Sequence, residues 1–80
     1  MSTAPVLALC ACPDEATAAR LAEMLVEQRL AACVNVLPGV RSTYRWQGAV
    51  QTDTEVMLYI KTTPGCWQAL QQCVSTEHPY

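Results

Sequence analysis

Cys10 and Cys12 stand two residues apart, and the only histidine, His78, follows the acidic Glu77 near the far end of the chain. Residues two apart on an extended strand share a face, so Cys10 and Cys12 would present two thiols side by side. As thiolates such a pair suits a soft metal ion; as neutral thiols it is ordinary packing for a strand between two layers. His78 precedes Pro79, and is either a metal ligand or a side chain that satisfies the last carbonyls of a helix. Glu77 has the same two readings, ligand or solvated charge. No four-residue Cys/His set has the spacing of a structural zinc site. Cys33 is flanked by Ala31, Ala32 and Val34, surroundings that raise a thiol pKa, and is expected to be buried and inert.

A second group of candidates lies near the middle of the chain. Tyr44, Arg45 and Trp46 are residue types enriched in clefts between subunits. Glu55 and Lys61 lie six apart, on one face of a strand; they are either solvated charges or, where they flank a cleft, the candidates for binding a small polar ligand. There is no Gly-rich phosphate loop, so a small anion would have to be held by Arg41, Arg45 or Lys61. The sole histidine has no identifiable partner, so no nucleophile–base pair can be assembled and no enzymatic activity is expected.

These residues need elements to position them. Val6 to Cys12 is a short apolar run, consistent with a strand buried on both faces. Asp14 is placed to cap a helix, in which Ala18, Leu21, Ala22 and Leu25 form one apolar stripe that ends near Arg29. Cys33 to Leu37 is β-rich, and after Pro38-Gly39 the strand resumes with Val40, Ser42, Tyr44 and Trp46 on one face. Proline cannot donate to a ladder, so Pro38-Gly39 predicts a bulge or an edge position. Gln47-Gly48-Ala49 is the reversal into a second long strand, Val50 to Thr62. Val56, Leu58 and Ile60 line one face of that strand, and Asp53, Glu55, Met57, Tyr59 and Lys61 the other. Thr63-Pro64 opens a second helix with Trp67, Leu70 and Val74 as its buried stripe, stopping near Thr76.

The order β-α-β-β-α is one strand short of a ferredoxin-like β-α-β-β-α-β sandwich. The first strand would then have an unpaired edge. The expectation is a single α+β domain over residues 1–80, with a long central hairpin and its last strand, along with a short terminal helix, missing or supplied by another chain.

Composition sharpens this. Of the 80 residues, 51% are hydrophobic and only 15% charged, against about 25% charged in a typical domain. A chain this small buries only about 60–65% of its surface, so part of the apolar excess is expected at a subunit interface. Strands of hairpins run about 5–6 residues, and arms this long must overhang and pack on a neighbour. The net charge of −2 and the dispersed positions of Arg20, Arg29, Arg41, Arg45 and Lys61 exclude the basic stripe that nucleic-acid binding needs. No segment approaches the ~20 apolar residues that span a bilayer. The first ten residues carry no positive charge and do not read as a signal peptide. The five cysteines are therefore expected to be reduced, and the location cytoplasmic.

Several motifs then agree in order. Leu30-Ala31-Ala32-Cys33-Val34-Asn35, Pro38-Gly39, and Ser42-Thr43-Tyr44-Arg45-Trp46-Gln47-Gly48 are followed by Glu55-Val56, Lys61-Thr62-Thr63 and His78-Pro79-Tyr80. With Pro13 to Ala18 these resemble the CutA family of divalent-cation-tolerance proteins over essentially the whole chain. The resemblance implies a ferredoxin-like fold similar to the PII signalling proteins, a homotrimer whose long hairpins pair between subunits, and a link to tolerance of copper and other divalent ions. It places the proposed copper ligands on Cys10 and His78, with Glu77 where a first histidine is expected. A carboxylate is harder than an imidazole, so copper affinity should fall or the preference move to harder ions. Trp46, Arg45, Glu55, Lys61 and Tyr80 are the candidates for a cleft ligand. A PII-like module that binds a small anion between subunits is the alternative reading.

Overall fold

The computed structural model describes residues 4–77. Its elements are β1 (Val6–Cys12), α1 (Glu15–Glu27), β2 (Cys33–Trp46), β3 (Ala49–Thr62), a 3-10 turn (Pro64–Cys66) and α2 (Trp67–Glu77). The strands form one antiparallel sheet in the order β1-β3-β2. Both helices pack on one face of it, which makes a two-layer α+β sandwich, and β1 is an outer strand of the sheet that the described residues form.

Helix α1 starts where Asp14, in an extended conformation, accepts a 2.7 Å hydrogen bond from the Thr17 amide. That bond holds the Asp14 carboxyl below its ordinary pKa and satisfies one of the orphan donors of the first turn. The helix ends at Glu27, near Arg29 as expected. Arg29 takes φ +61°, the Arg29 amide donates to the Val26 carbonyl (3.0 Å), and the Leu30 amide donates to that of Leu25 (2.9 Å). This is a Schellman ending built on an arginine where glycine is the usual choice.

Three members of the stripe predicted for α1 are buried, and Ala22 is partly so. Ala18, Leu21 and Leu25 meet Ala8 and Cys12 of β1, Val56, Leu58 and Ile60 of β3, and Leu70 of α2. Leu58 and Leu25 are fully inaccessible. At about 25 cal/mol per Å² of apolar area removed from water, this layer is the main source of stability.

Among the described residues, no helix covers the opposite face of the sheet. Leu7 and Leu9 are 55% and 59% exposed, which corrects the expectation that β1 is buried on both faces. Only its Ala8–Cys12 side meets the helices. Cys33 lies on the same open face, opposite Lys61, and is half-buried where full burial was expected. Trp67, expected in the core of α2, is 41% exposed. A short 3-10 turn precedes it, and Leu70 alone of the predicted stripe is fully buried.

β2 and β3 are 14 residues each. At about 3.3 Å per residue such a strand is ~46 Å long, which matches the longest molecular dimension of 45 Å. The radius of gyration is 13.7 Å, above the ~11–12 Å expected of a compact chain of this length. The excess is the outer half of the hairpin, which has no helix beneath it. Between Leu37 and Val40 the register slips by one residue at Pro38-Gly39, with Gly39 at φ +74°. This is the expected bulge, on an edge strand. Gln47 and Gly48, at φ +51° and +79°, form a two-residue turn of the type that matches strand twist.

Candidate functional site

Register places Cys10 opposite Leu58 and Cys12 opposite Val56, so both thiols lie on the helix side of β1. Cys12 is fully buried in the core, and Cys10 is half-buried. Cys10 lines a cleft of about 250 Å³ with Ile60, Trp67, Leu70, Val74 and Ser75, between the β1 edge and α2. The Cys10 S–H donates to the Ala11 carbonyl at 3.9 Å. Burial, helped by Cys10 and then by Asp14 and Glu55, pushes the Cys12 thiol up to about 12. Burial also raises Cys10, and the neighbouring Cys12 thiol partly opposes the shift. Cys10 is therefore the thiol of the pair better placed to ionise.

Glu77 sits elsewhere. It lines a different cleft, with Met24, Gln28, Leu30, Cys73 and Thr76, between α1 and α2. Its backbone carbonyl accepts from Arg20 Nη2 at 3.4 Å. Burial raises the Cys73 thiol, and the charge of Glu77 adds to the shift. The proposed trio of Cys10, Glu77 and His78 is thus divided: two of its members face different clefts, and His78 lies outside the described residues. Among the described residues, no three His, Cys, Asp or Glu side chains converge to hold a metal ion. The donors that do fit copper are the two sulfurs of β1, which are soft and adjacent.

The second group of candidates is also divided. Trp46 and Glu55 share a concavity of about 520 Å³ with Tyr44 and Asp53 on the open face of the hairpin. The Tyr44 hydroxyl donates to Asp53 Oδ2, and that bond, more than burial, raises the phenol pKa. Arg45 pairs with Val50, and Arg41 with Thr54, on the opposite face. Lys61 lies at the other end of β3, where a cleft of about 470 Å³ is lined by Arg29, Leu30, Thr62, Thr63 and Cys66 as well. Tyr80 lies outside the described residues. The three cations named for an anion site, Arg41, Arg45 and Lys61, therefore do not share a face.

Sequence reasoning missed the Tyr44–Asp53 pair. A two-residue turn at Gln47-Gly48 makes Trp46 and Ala49 partners, hence Ser42 and Asp53 partners and Tyr44 the diagonal neighbour of Asp53. The signal lay in the turn length. Arg29 had no local signal, because only the left-handed ending of α1 brings it to the cleft of Lys61.

One antiparallel sheet under two helices, in the order β1-β3-β2 and with a long hairpin, defines an α+β ferredoxin-like sandwich. A family model described as CutA1 divalent ion tolerance protein matches residues 6–80, and the chain belongs to that family. It is 44% identical over 79 residues to the divalent-cation tolerance protein CutA of an Escherichia coli strain, covering 99% of this chain and 70% of that protein. The solved structure of the divalent cation tolerance protein Cut A1 from Thermus thermophilus superposes with a TM-score of 0.88 at 47% identity, covering 95% of this chain and 73% of that one. A CutA from Archaeoglobus fulgidus, described as a periplasmic divalent cation tolerance protein, superposes with a TM-score of 0.90 at 30% identity, over 96% and 74%.

Proposed function

We propose that this chain acts in metal tolerance by binding copper itself, through Cys10, as one subunit of a homotrimer. The observation that carries the reading is the Cys10 thiol. It is a soft donor, half-buried in a cleft between β1 and α2, in a chain whose relatives are named for divalent-cation tolerance. His78 is the second ligand that the family resemblance assigns. Glu77 contributes little to copper, since it lines another cleft and offers a hard donor.

Two features support the trimer. The open face of the sheet carries Leu7, Leu9, Leu37, Tyr44 and Trp46, all exposed, and an apolar face of this extent favours a partner. The overhanging hairpin supplies a second surface that the chain itself does not cover. The reading further places the protein in the cytoplasm as a single domain without catalytic activity; the relatives are named as tolerance proteins and not as enzymes.

An anaerobic copper titration of reduced protein tests the site. Stoichiometric binding that Cys10→Ser abolishes is expected, and binding unaffected by Cys10→Ser would overturn it. Sedimentation at micromolar concentration tests the trimer by its mass.

One observation favours a second reading, a small anion as ligand. Lys61 and Arg29 line one cleft with Thr63, whose side chain does not cap the helical turn it opens. Phosphate titration of the protein against Arg29→Gln and Lys61→Gln separates this reading from the first, because neither substitution touches Cys10.

A further inference from the structure

We propose that the cleft shared by Arg29 and Lys61 is a binding site for an amphiphilic oxyanion, a carboxylate or phosphate group carried on a short aliphatic body. The proposal rests on the small-anion reading above and specifies the ligand that fits the cleft.

The cleft forms where the return from α1 lies against the end of β3. Its volume is about 470 Å³, within the roughly 300–1,000 Å³ of sites that take small molecules. Three hydrogen bonds tie its two sides together. The Thr62 hydroxyl donates to the Leu30 carbonyl at 2.7 Å, the Ala32 amide to the Lys61 carbonyl at 2.9 Å, and the Cys66 thiol to the Arg29 carbonyl at 3.8 Å. The walls are therefore held in place before any ligand arrives, which lowers the cost of binding.

Two chemistries line the cleft. Its polar side carries Arg29, Lys61 and Thr63, and no carboxylate lines it with them among the described residues. A guanidinium offers an oxyanion a planar pair of donors, and an ammonium offers a point charge. The Thr63 side chain makes no cap bond to the turn it opens, so its hydroxyl can serve a ligand. The other side is apolar, formed by Pro5, Val26, Leu30, Ala31 and Ala32. Val26 stands outside the core cluster and is 43% exposed. An inorganic anion would leave this wall wet, whereas an aliphatic chain behind the charged head would cover it. A wholly apolar ligand would gain nothing from the two cations.

The test is a homologous series of acetate, butyrate and hexanoate, titrated into isotope-labelled protein. Binding is followed by NMR at the amides of Leu30, Ala31, Ala32 and Thr63. Inorganic phosphate and hexyl phosphate form a second arm. Affinity at these amides is expected to rise with each added methylene, by up to about fourfold. Arg29→Gln should weaken every member of the series by about tenfold, the share of one charge-assisted contact, and leave the slope unchanged. Val26→Ser should reduce the slope and leave acetate as it was. A preference between hexanoate and hexyl phosphate in either direction upholds the proposal and names the head group. Equal affinity for acetate and hexanoate, with phosphate equal to hexyl phosphate, would overturn it while upholding the small-anion reading. Undiminished binding of the series by Arg29→Gln would also overturn it. Unmoved amides with every one of these anions would overturn both readings.

Discussion

The Thr62 hydroxyl, at the end of β3, donates to the Leu30 carbonyl just beyond α1 across 2.7 Å. Thr62 is the buried polar residue of the described chain, 4% exposed. The bond fixes the return from the first helix onto the sheet, and beside it the Ala32 amide donates to the Lys61 carbonyl at 2.9 Å. Thr62→Val keeps the shape and removes the donor, leaving a carbonyl short of a partner. A loss of about 1–2 kcal/mol is expected in urea unfolding, with an unchanged m-value. No loss would mean that water replaces the hydroxyl.

Arg29 gives the opposite sign. Its φ of +61° imposes on a side-chain-bearing residue a conformation that costs about 1–2 kcal/mol. Arg29→Gly should therefore raise stability by up to about 1 kcal/mol, since part of the relief is returned as backbone entropy of the unfolded chain. A stability decrease in the same denaturant experiment would show that the arginine side chain contributes more than the strain it causes.

Burial sets the pH behaviour of Cys12. Its folded pKa of about 12 exceeds the ordinary thiol value near 8.5, so the fold favours the protonated form. The sign follows: this contribution is fully present below the unfolded thiol's pKa and is lost as pH rises from there toward about 12. Stability should fall above roughly pH 8.5–9 by up to about 1.4 kcal/mol per pH unit from this group. Cys12→Ala should flatten that limb of the profile, and an identical alkaline slope in both proteins would refute the assignment.

Association can be probed from the open face. Leu9 is 59% exposed in the single chain, so a charge there costs an isolated subunit within about 0.5 kcal/mol. Leu9→Asp is expected to lower the mass found by sedimentation while circular dichroism stays the same. Unchanged mass would remove Leu9 from any subunit interface.

Much of the fold was legible because periodicity and punctuation agreed. The α1 stripe, the Asp14 cap and the alternation of Val56, Leu58 and Ile60 each follow from local chemistry, and each is where it was expected. Misreadings came where one side of an element has no cover within the chain. Leu7 and Leu9 look like core residues by type, and only the placement of both helices on the other face leaves them exposed. Trp67 lies on the Leu70 and Val74 side of α2, as its spacing implies, but that side opens onto the cleft beside β1 and leaves the indole exposed. The site was less legible still, because clefts join residues distant in sequence. Cys10 and Cys12 share a strand and could be paired from spacing alone, whereas Cys10 and Glu77 could be separated only by the position of α2.

The bulge at Pro38-Gly39 makes the two arms of the hairpin unequal in how they tolerate a change of length. β2 places two residues between Leu37 and Val40 where β3 places one, Val56, between Met57 and Glu55. Removing either Pro38 or Gly39 would heal the ladder and leave Tyr44 and Trp46 facing as they do, losing only the added twist that a bulge imparts. β3 has no such spare residue. Removing Val56 would carry Asp53 and Glu55 to the other side of the sheet, and through the tight turn Tyr44 and Trp46 with them. β3 is thus the ruler of the hairpin and β2 its slack, so single-residue length variation belongs on β2 at the bulge.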